Sequence, residues 1–213
     1  MDEHRNITAT SSSLDSVNEP VLVTGADGYI GRYLTNRLSE SGFDVIPINR
    51  GVCDIRSAHE LANQDPYCKA TTVCHLAAQT GVEPSWSNPS DYYSTNVLGT
   101  QQVLEFCRIS NAKMVFVSGY VYGDSSNMPI AESTTAAPKN PYSHSKWLAE
   151  ELCIFYAEKY GISCNIVRPF NVYGGQQSTD FLIPHIISQT LSKEKYIWVN
   201  DIRPSRDYIY IVD

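Results

Sequence analysis

No run of 18 apolar residues occurs in this 213-residue chain, so no membrane-spanning segment is expected. There is no block of lysine and arginine either. Sixteen basic residues stand against 23 acidic ones, a formal charge of -7, and nucleic acid is therefore not an expected partner. The six cysteines (Cys53, Cys68, Cys74, Cys107, Cys153 and Cys164) form no Cys-x-x-Cys pair and mostly have apolar neighbours. They are expected to be reduced, mostly buried thiols of a cytoplasmic protein, with no metal or disulfide role. Residues 1–19 lack the basic and apolar stretches of a signal peptide and are rich in Ser and Thr, so a disordered leader is expected.

What is present alternates between two periodicities. Val21–Val23, Val45–Ile48, Thr72–Leu76, Met114–Val117 and Ile162–Val167 read as short buried strands. Between them, residues 29–41 place Ile30, Leu34 and Leu38 on one helical face before Gly42. His59–Ala62 suggests a short helix, residues 90–110 a long one, and residues 143–160 another with Trp147, Leu148, Leu152 and Tyr156 spaced for a core face. Strands alternating with helices imply an α/β fold, a Rossmann-like doubly wound parallel sheet with ligands beyond the strands' carboxyl ends. The expected division is a dinucleotide-binding domain over 20–168 and, over 169–213, the beginning of a C-terminal substrate domain with a helix at 181–191, strands at Tyr196–Val199 and Tyr208–Val212, and a strand returning to the sheet. The chain stops on Asp213 without a polar tail, which suggests an interrupted second unit.

Gly25, Gly28 and Gly31 follow the first strand and open the first helix, with Tyr29 and Ile30 between them. The first glycine permits a tight turn, the second the approach of a pyrophosphate, the third close packing of helix on sheet. The helix N-terminus then faces the phosphates. An acidic residue ending the second strand would bind a ribose 2′-hydroxyl. Here Asn49 and Arg50 stand there, and Arg50 suits a 2′-phosphate, so the cofactor is NAD or NADP with Arg50 favouring NADP. Asp54 by a polar contact and Ile55 by packing are candidates to hold the adenine.

Tyr142 and Lys146 are four residues apart and share a helix face. A phenol titrates near about 10, but an adjacent ammonium and the nicotinamide charge both favour phenolate. Tyr142 can then take a proton from an alcohol as hydride leaves its carbon. Ser118 ends the fourth strand and can hydrogen-bond the reacting oxygen. Asn96 lies inside the long helix, where asparagine is unfavourable unless its side chain is used, so a role in ordering water or Lys146 is expected. His75 ends an apolar strand with no partner for a metal cluster, so it is expected to be structural or to line the cofactor.

These residues resemble the extended short-chain dehydrogenase/reductase family, in its nucleotide-sugar epimerase/dehydratase branch. The matching segments are TGADGYIG at 24–31, CDIR at 53–56, HLAA at 75–78, Tyr93 with NVLGT at 96–100, Ser118 with VYG at 121–123, PYSHSK at 141–146, RPFNVYG at 168–174 and RDY at 206–208. The resemblance covers about residues 20–213. It implies a catalytic triad of Ser118, Tyr142 and Lys146 with Asn96 in support. It also implies that Lys146 holds the nicotinamide ribose and that His75, Leu76, Ala77, Ala78 and Pro169 line the cofactor. The implied substrate is a nucleotide-diphosphate sugar, with Ser85 near the sugar and Asn171 and Arg206 on its diphosphate. The implied epimerase reaction oxidises C4, lets the 4-keto sugar turn over, and returns hydride to the other face. Homodimerisation through the helices at 90–110 and 143–160 is a further implication.

Two features depart from the family. Its 4,6-dehydratases carry Asp and Glu immediately after the catalytic hydroxyl residue, whereas this chain has Gly119 and Tyr120, which argues against dehydration. Asn49 and Arg50 resemble the NADP-using members, and a 4-ketosugar reductase is the alternative to an epimerase. Family members also usually continue well past residue 213, so a non-catalytic cofactor-binding fragment is a third reading.

Overall fold

The computed structural model describes residues 19–124, 128–193, 195–201, 203 and 205–213. The expected leader at 1–19 lies outside them apart from Glu19. Five parallel strands form the central sheet in the order β2-β1-β3-β4-β5, where β1 is Val21–Thr24, β2 Val45–Ile48, β3 Thr72–His75, β4 Lys113–Val117 and β5 Cys164–Val167. The registers align the carboxyl ends: Thr24 pairs with Ile48 and His75, His75 with Phe116, and Phe116 with Ile166. All the side chains that leave these ends therefore converge on one edge of the sheet.

Each face of the sheet is covered differently. On one face Leu22, Ile48, Val73, Met114 and Phe116 pack against Val103, Leu104, Phe106, Ala149 and Cys153. These come from α4 (Gly99–Ser110) and α5 (Pro141–Tyr160), and a 3-10 segment at Ile55–Asn63 completes the layer. On the other face Val21, Val23 and Ala26 meet Leu34 and Leu38 of α1 (Tyr29–Glu40). This is the doubly wound Rossmann-like arrangement expected from the alternation. Helix α5 begins where its sequence dictates. Pro141 takes the first helical position, the Ser143 amide donates to Asn140 Oδ1 at 2.8 Å, and the Asn140 amide donates to Ser143 Oγ at 3.4 Å. It ends at Gly161, whose φ of 73° is the left-handed conformation that glycine adopts freely.

Several expectations are corrected. The helix expected over 90–110 is three pieces: α3 (Pro89–Tyr92), a π-helical turn at Tyr93–Leu98, and α4. A short helix α2 (Val82–Ser87), which has no clear apolar period, precedes it. In α5 the face turned to the sheet is Ser145, Lys146, Ala149, Glu150 and Cys153, with Tyr156, and Trp147, Leu148 and Leu152 are only partly covered. Tyr196–Val199 is not a strand. The Trp198 amide donates to Gln189 Oε1 at 2.7 Å and its carbonyl accepts from Gln189 Nε2 at 2.9 Å, so a side chain of α6 (Leu182–Leu191) satisfies that backbone instead of a neighbouring strand. The expected returning strand, β7 (Tyr208–Tyr210), pairs with β6 (Asn171–Tyr173) in a separate two-stranded sheet. Of the six cysteines only Cys107 and Cys153 are buried, while the other four are half-buried.

Leu104 is 0% exposed between the sheet and the 3-10 segment. Leu104→Ala is expected to lower unfolding free energy by about 2–5 kcal/mol, read from the urea midpoint at unchanged slope.

Candidate active site

The glycine turn brings two strand ends together. Gly25 has φ 69°, and a Cβ on it would stand 2.7 Å from the Ala77 amide nitrogen, so the segment after β3 lies directly against the turn. A Cβ on Gly31 would stand 2.0 Å from the Gly25 carbonyl oxygen, so the third glycine lets α1 sit on the turn itself. Gly28 is the N-cap of α1 and offers no side-chain cap to the helix N–H groups. The Tyr29 hydroxyl, against Gly174, is buried without a hydrogen-bond partner among the described residues, and burial, then Tyr210, raises its pKa. An uncapped twelve-residue helix start and glycines that hold no side chain in the approach fit a pyrophosphate. Ile30 is half-buried in the same turn.

At the end of β2, Asn49 Oδ1 accepts from the Gly51 and Val52 amides at 2.9 and 3.2 Å, so its side chain closes the local turn. Arg50 is exposed, close enough that its charge helps lower the pKa of Asp54. Hydrogen bonds from Arg56 are the main cause of that lowering, to about 2. Ile55 departs from expectation. It is 8% exposed and turned into the core against Gly99, where a Cβ would come within 2.7 Å of its Cδ1.

Ser118, Tyr142 and Lys146 are brought together. Ser118 is 5% exposed, its amide donates to the Val167 carbonyl at 2.8 Å, and its Oγ has no partner among the described residues. A Cβ on the adjacent Gly119 would stand 3.2 Å from the Tyr142 hydroxyl, so that hydroxyl lies beside the Ser118 turn. The ring of Tyr92 meets the Tyr142 ring edge-on at 6.2 Å, and the Tyr92 hydroxyl donates to the Thr80 carbonyl at 2.6 Å. Lys146 is buried with Nζ 4.2 Å from the centre of the Phe116 ring. Burial pulls its pKa down to about 8, with the Glu150 carboxylate acting the other way. Tyr142 moves opposite to the expectation of an ammonium-stabilised phenolate: burial and then Tyr92 push it above its ordinary value.

Asn96 lies in the π-helical turn, and its role also differs from expectation. Oδ1 accepts from the Gln79 amide at 2.7 Å. Nδ2 donates to the Gln79 carbonyl at 3.1 Å and to Ser145 Oγ at 2.9 Å. Ser145 Oγ donates in turn to the Tyr142 carbonyl at 2.8 Å. Both Nδ2 hydrogens are thus engaged, and Asn96 braces the first turn of α5 instead of ordering Lys146 or a water.

His75 is 1% exposed and both ring nitrogens are held. Thr100 Oγ1 donates to the Asn96 carbonyl at 2.6 Å, so it accepts from His75 Nε2 at 3.0 Å. Nδ1 therefore accepts from Thr24 Oγ1 at 2.6 Å, and Thr24 Oγ1 accepts from the Leu76 and Ala77 amides at 3.2 Å each. This chain fixes the ring as the Nε2–H tautomer and ties the glycine turn to the π-helical turn. Burial and then the Lys146 charge push its pKa down to about 3. Ala78 is half-buried at the end of the same segment.

On the substrate side the placements divide. Ser85, expected near the sugar, is 0% exposed and donates to the Val82 carbonyl at 2.6 Å, which removes it from the cleft. Asn171 is exposed, and its Nδ2 donates to the Asp207 carbonyl at 2.8 Å, next to the exposed Arg206. Pro169 is half-buried at the start of that segment. Among the described residues no group of His, Cys, Asp and Glu is placed to hold a metal.

Two residues that the sequence reading gave no role complete the surroundings. Arg168 donates to both carboxylate oxygens of Glu150, at 2.9 and 2.5 Å, and to the Tyr122 hydroxyl at 2.7 Å. Glu150 is 1% exposed. Arg168 opens the RPFNVYG segment and Glu150 lies four residues past Lys146, so a charged residue on the same helical row was the available signal.

The profile of the NAD dependent epimerase/dehydratase family matches residues 21–213. A putative UDP-glucose 4-epimerase of Methanocaldococcus jannaschii is 33% identical over 91% of this chain and 70% of its own length. Among solved structures, RMD from Pseudomonas aeruginosa complexed with NADPH superposes with a TM-score of 0.80 at 27% identity, covering 91% of this chain and 70% of that one. The UDP-glucose 4-epimerase from Brucella ovis in complex with NAD gives 0.79 at 27% identity, covering 91% and 69%. The chain spans 61% to 70% of the length of the curated relatives it matches first.

His75 is neutral in the fold, with a pKa of about 3 against an ordinary 6.5. Its contribution to stability is complete above 6.5 and is lost as pH falls toward 3, because the unfolded chain binds the proton first. His75→Gln is expected to flatten the acid limb of a stability-versus-pH curve by up to about 1.4 kcal/mol per pH unit in that window. Equal slopes in parent and variant refute the neutral buried ring.

Proposed function

The chain belongs to the NAD dependent epimerase/dehydratase family, of the extended short-chain dehydrogenase/reductase type, and on that premise we propose that its site is built for 4-epimerisation of a nucleotide-diphosphate sugar. The observation that carries this reading is the pairing of an unpartnered, buried Ser118 hydroxyl with the Tyr142 hydroxyl beside Gly119. Two hydroxyls converging at a strand end, with a buried ammonium one turn along α5, suit the oxygen of a sugar alcohol and its ketone.

In this mechanism Ser118 donates a hydrogen bond to the sugar O4 and fixes its orientation. Tyr142 takes the proton from that oxygen as the C4–H bond breaks, and gives it back when the bond re-forms on the opposite face. Lys146 supplies positive charge on the row that carries Tyr142. A nicotinamide dinucleotide held with its pyrophosphate against Gly25, Gly28 and the α1 N-terminus would supply the hydride acceptor and donor. Asn171 and Arg206 are assigned to the diphosphate, for which a guanidinium is suited. Dehydration is disfavoured because Gly119 offers no acid or base, and the Tyr120 hydroxyl donates to the Gly123 carbonyl.

A second reading is an NADP-dependent 4-ketosugar reductase, favoured by the exposed Arg50 at the end of β2. Under either reading two copies pair through the π-helical turn and α5, a proposal supported by the exposed apolar side chains of Leu98 on the first and Ile154 and Phe155 on the second. A cytoplasmic setting is part of the same proposal.

Cofactor titration by fluorescence, with NAD and NADP separately, decides between the two readings. If Arg50 selects a 2′-phosphate, Arg50→Ala weakens NADP about tenfold or more and leaves NAD unchanged. Tyr142→Phe is expected to lower turnover by about 10²–10⁴-fold with cofactor binding intact. Full turnover in that variant excludes this site as the catalytic one.

A further inference from the structure

Arg168 and Glu150 form the one ion pair with a fully buried partner among the described residues, with side-chain exposures of 24% and 1%. The carboxylate is held by two parallel N–H donors, a geometry that arginine offers and lysine does not. The same guanidinium donates to the Tyr122 hydroxyl at 2.7 Å and to the Glu132 carbonyl at 3.3 Å, and lies over the Tyr122 ring at 5.0 Å. One side chain thus joins three segments: α5, the end of β5, and the loop that continues from Ser118.

A buried ion pair is a weak device for stability alone, because apolar residues of equal volume do as well. Its placement gives it another consequence. Tyr142, Lys146 and Glu150 recur every four residues and form one row along α5, and Lys146 and Glu150 both face the sheet. A buried ammonium and a buried carboxylate one turn apart attract each other strongly unless one is already held.

We infer that Arg168 is a positioning residue for the Tyr142–Lys146 pair, acting through Glu150. By engaging both carboxylate oxygens, it keeps Glu150 from closing on Lys146 and leaves the ammonium free to face the site. The other groups around Lys146 do not replace this control. His75 from β3 is neutral, Cys153 on α5 is a buried thiol pushed far above its ordinary range, Phe116 from β4 presents its ring, and Tyr142 is a phenol pushed upward by burial. The inference rests on the catalytic reading of Lys146 given above.

The test is an NMR titration of ¹³Cε-labelled lysines in the full 213-residue chain, with the Lys146 signal assigned by its loss in Lys146→Met. In Arg168→Met the freed carboxylate closes on the ammonium, and the Lys146 midpoint is expected to rise by about one pH unit. In Glu150→Gln the favourable charge is gone, and the midpoint falls by a comparable amount. The double variant Glu150→Gln/Arg168→Met leaves no unpaired buried charge, so it folds even where Arg168→Met does not. It too is expected to titrate below the parent.

A merely structural pair moves none of these midpoints, or moves both single variants in the same direction, and either result overturns the inference. Should Arg168→Met fail to fold, Glu150→Gln and the double variant titrating with the parent overturn it equally. The pH profile of turnover separates the two claims. A limb that follows the midpoint across the variants supports both. Midpoints that shift while the limb stays fixed leave Arg168 as the residue that controls Lys146, but remove Lys146 from the chemistry.

Discussion

Burying one ammonium at the carboxyl edge of a parallel sheet is the constraint around which this structure is arranged. Lys146 lies under the Phe116 ring on the sheet-facing side of α5, where an apolar residue is the ordinary occupant. The cost of desolvating it appears in the fall of its pKa to about 8. Everything near it is chosen for charge. The aromatic face offers a negative quadrupole, the nearby histidine is held neutral by two threonines, and the Glu150 carboxylate is bound by arginine. Moving any of these groups alters the charge at the site as well as the packing.

The second demand comes from the backbone. A π-helical turn at Tyr93–Leu98 interrupts the regular carbonyl pairing of a helix, and the Asn96 carbonyl is satisfied by Thr100. The donor that completes Thr100 is His75, and the acceptor on the other side of the ring is completed by Thr24. A local irregularity in one helix is thereby coupled to the end of β1, where the glycine turn begins. The same irregularity sets Asn96 against Gln79 and Ser145, and through Ser145 against the first turn of α5. The glycine turn, the π-helical turn and the first turn of α5 are thereby linked through hydrogen bonds along one edge of the sheet.

What was legible in the sequence was what periodicity and turn chemistry encode. The five core strands, the glycine turn and the stop of α1 at Gly42 follow from residue patterns alone. The cluster of Ser118, Tyr142 and Lys146 also follows once the strand ends are placed. Periodicity found Tyr156 and the packing of Leu152 but misplaced Trp147 and Leu148, because the side of α5 that meets the core also carries Ser145, Lys146 and Glu150. A rule that places only apolar residues inside rotates such a helix away from its polar buried row. Glu150 and Arg168 carried a signal in their positions but no sign of burial, since buried charges look like surface charges until their partners are known. Tyr196–Val199 has the composition of a strand, and only the position of Gln189 decides that its backbone is satisfied elsewhere. Ser85 and Ile55 sit in segments that resemble ligand-binding ones, but a bond to Val82 and a contact with Gly99 turn both inward.

The raised pKa of Tyr142 bears on how the proposed chemistry is controlled. A phenol pushed upward by burial and by Tyr92 stays protonated at neutral pH, even with Lys146 one turn away. On the proposed reading, deprotonation then requires further positive charge at the site, and an oxidised nicotinamide is one such charge. Proton abstraction from the sugar is thereby tied to the presence of a hydride acceptor in the correct redox state. An already ionised tyrosine would lack that dependence and would bind alcohol without the means to oxidise it. On that reading, burial of the phenol is what makes its deprotonation depend on a further charge, while Lys146, at about 8, still carries its own at neutral pH.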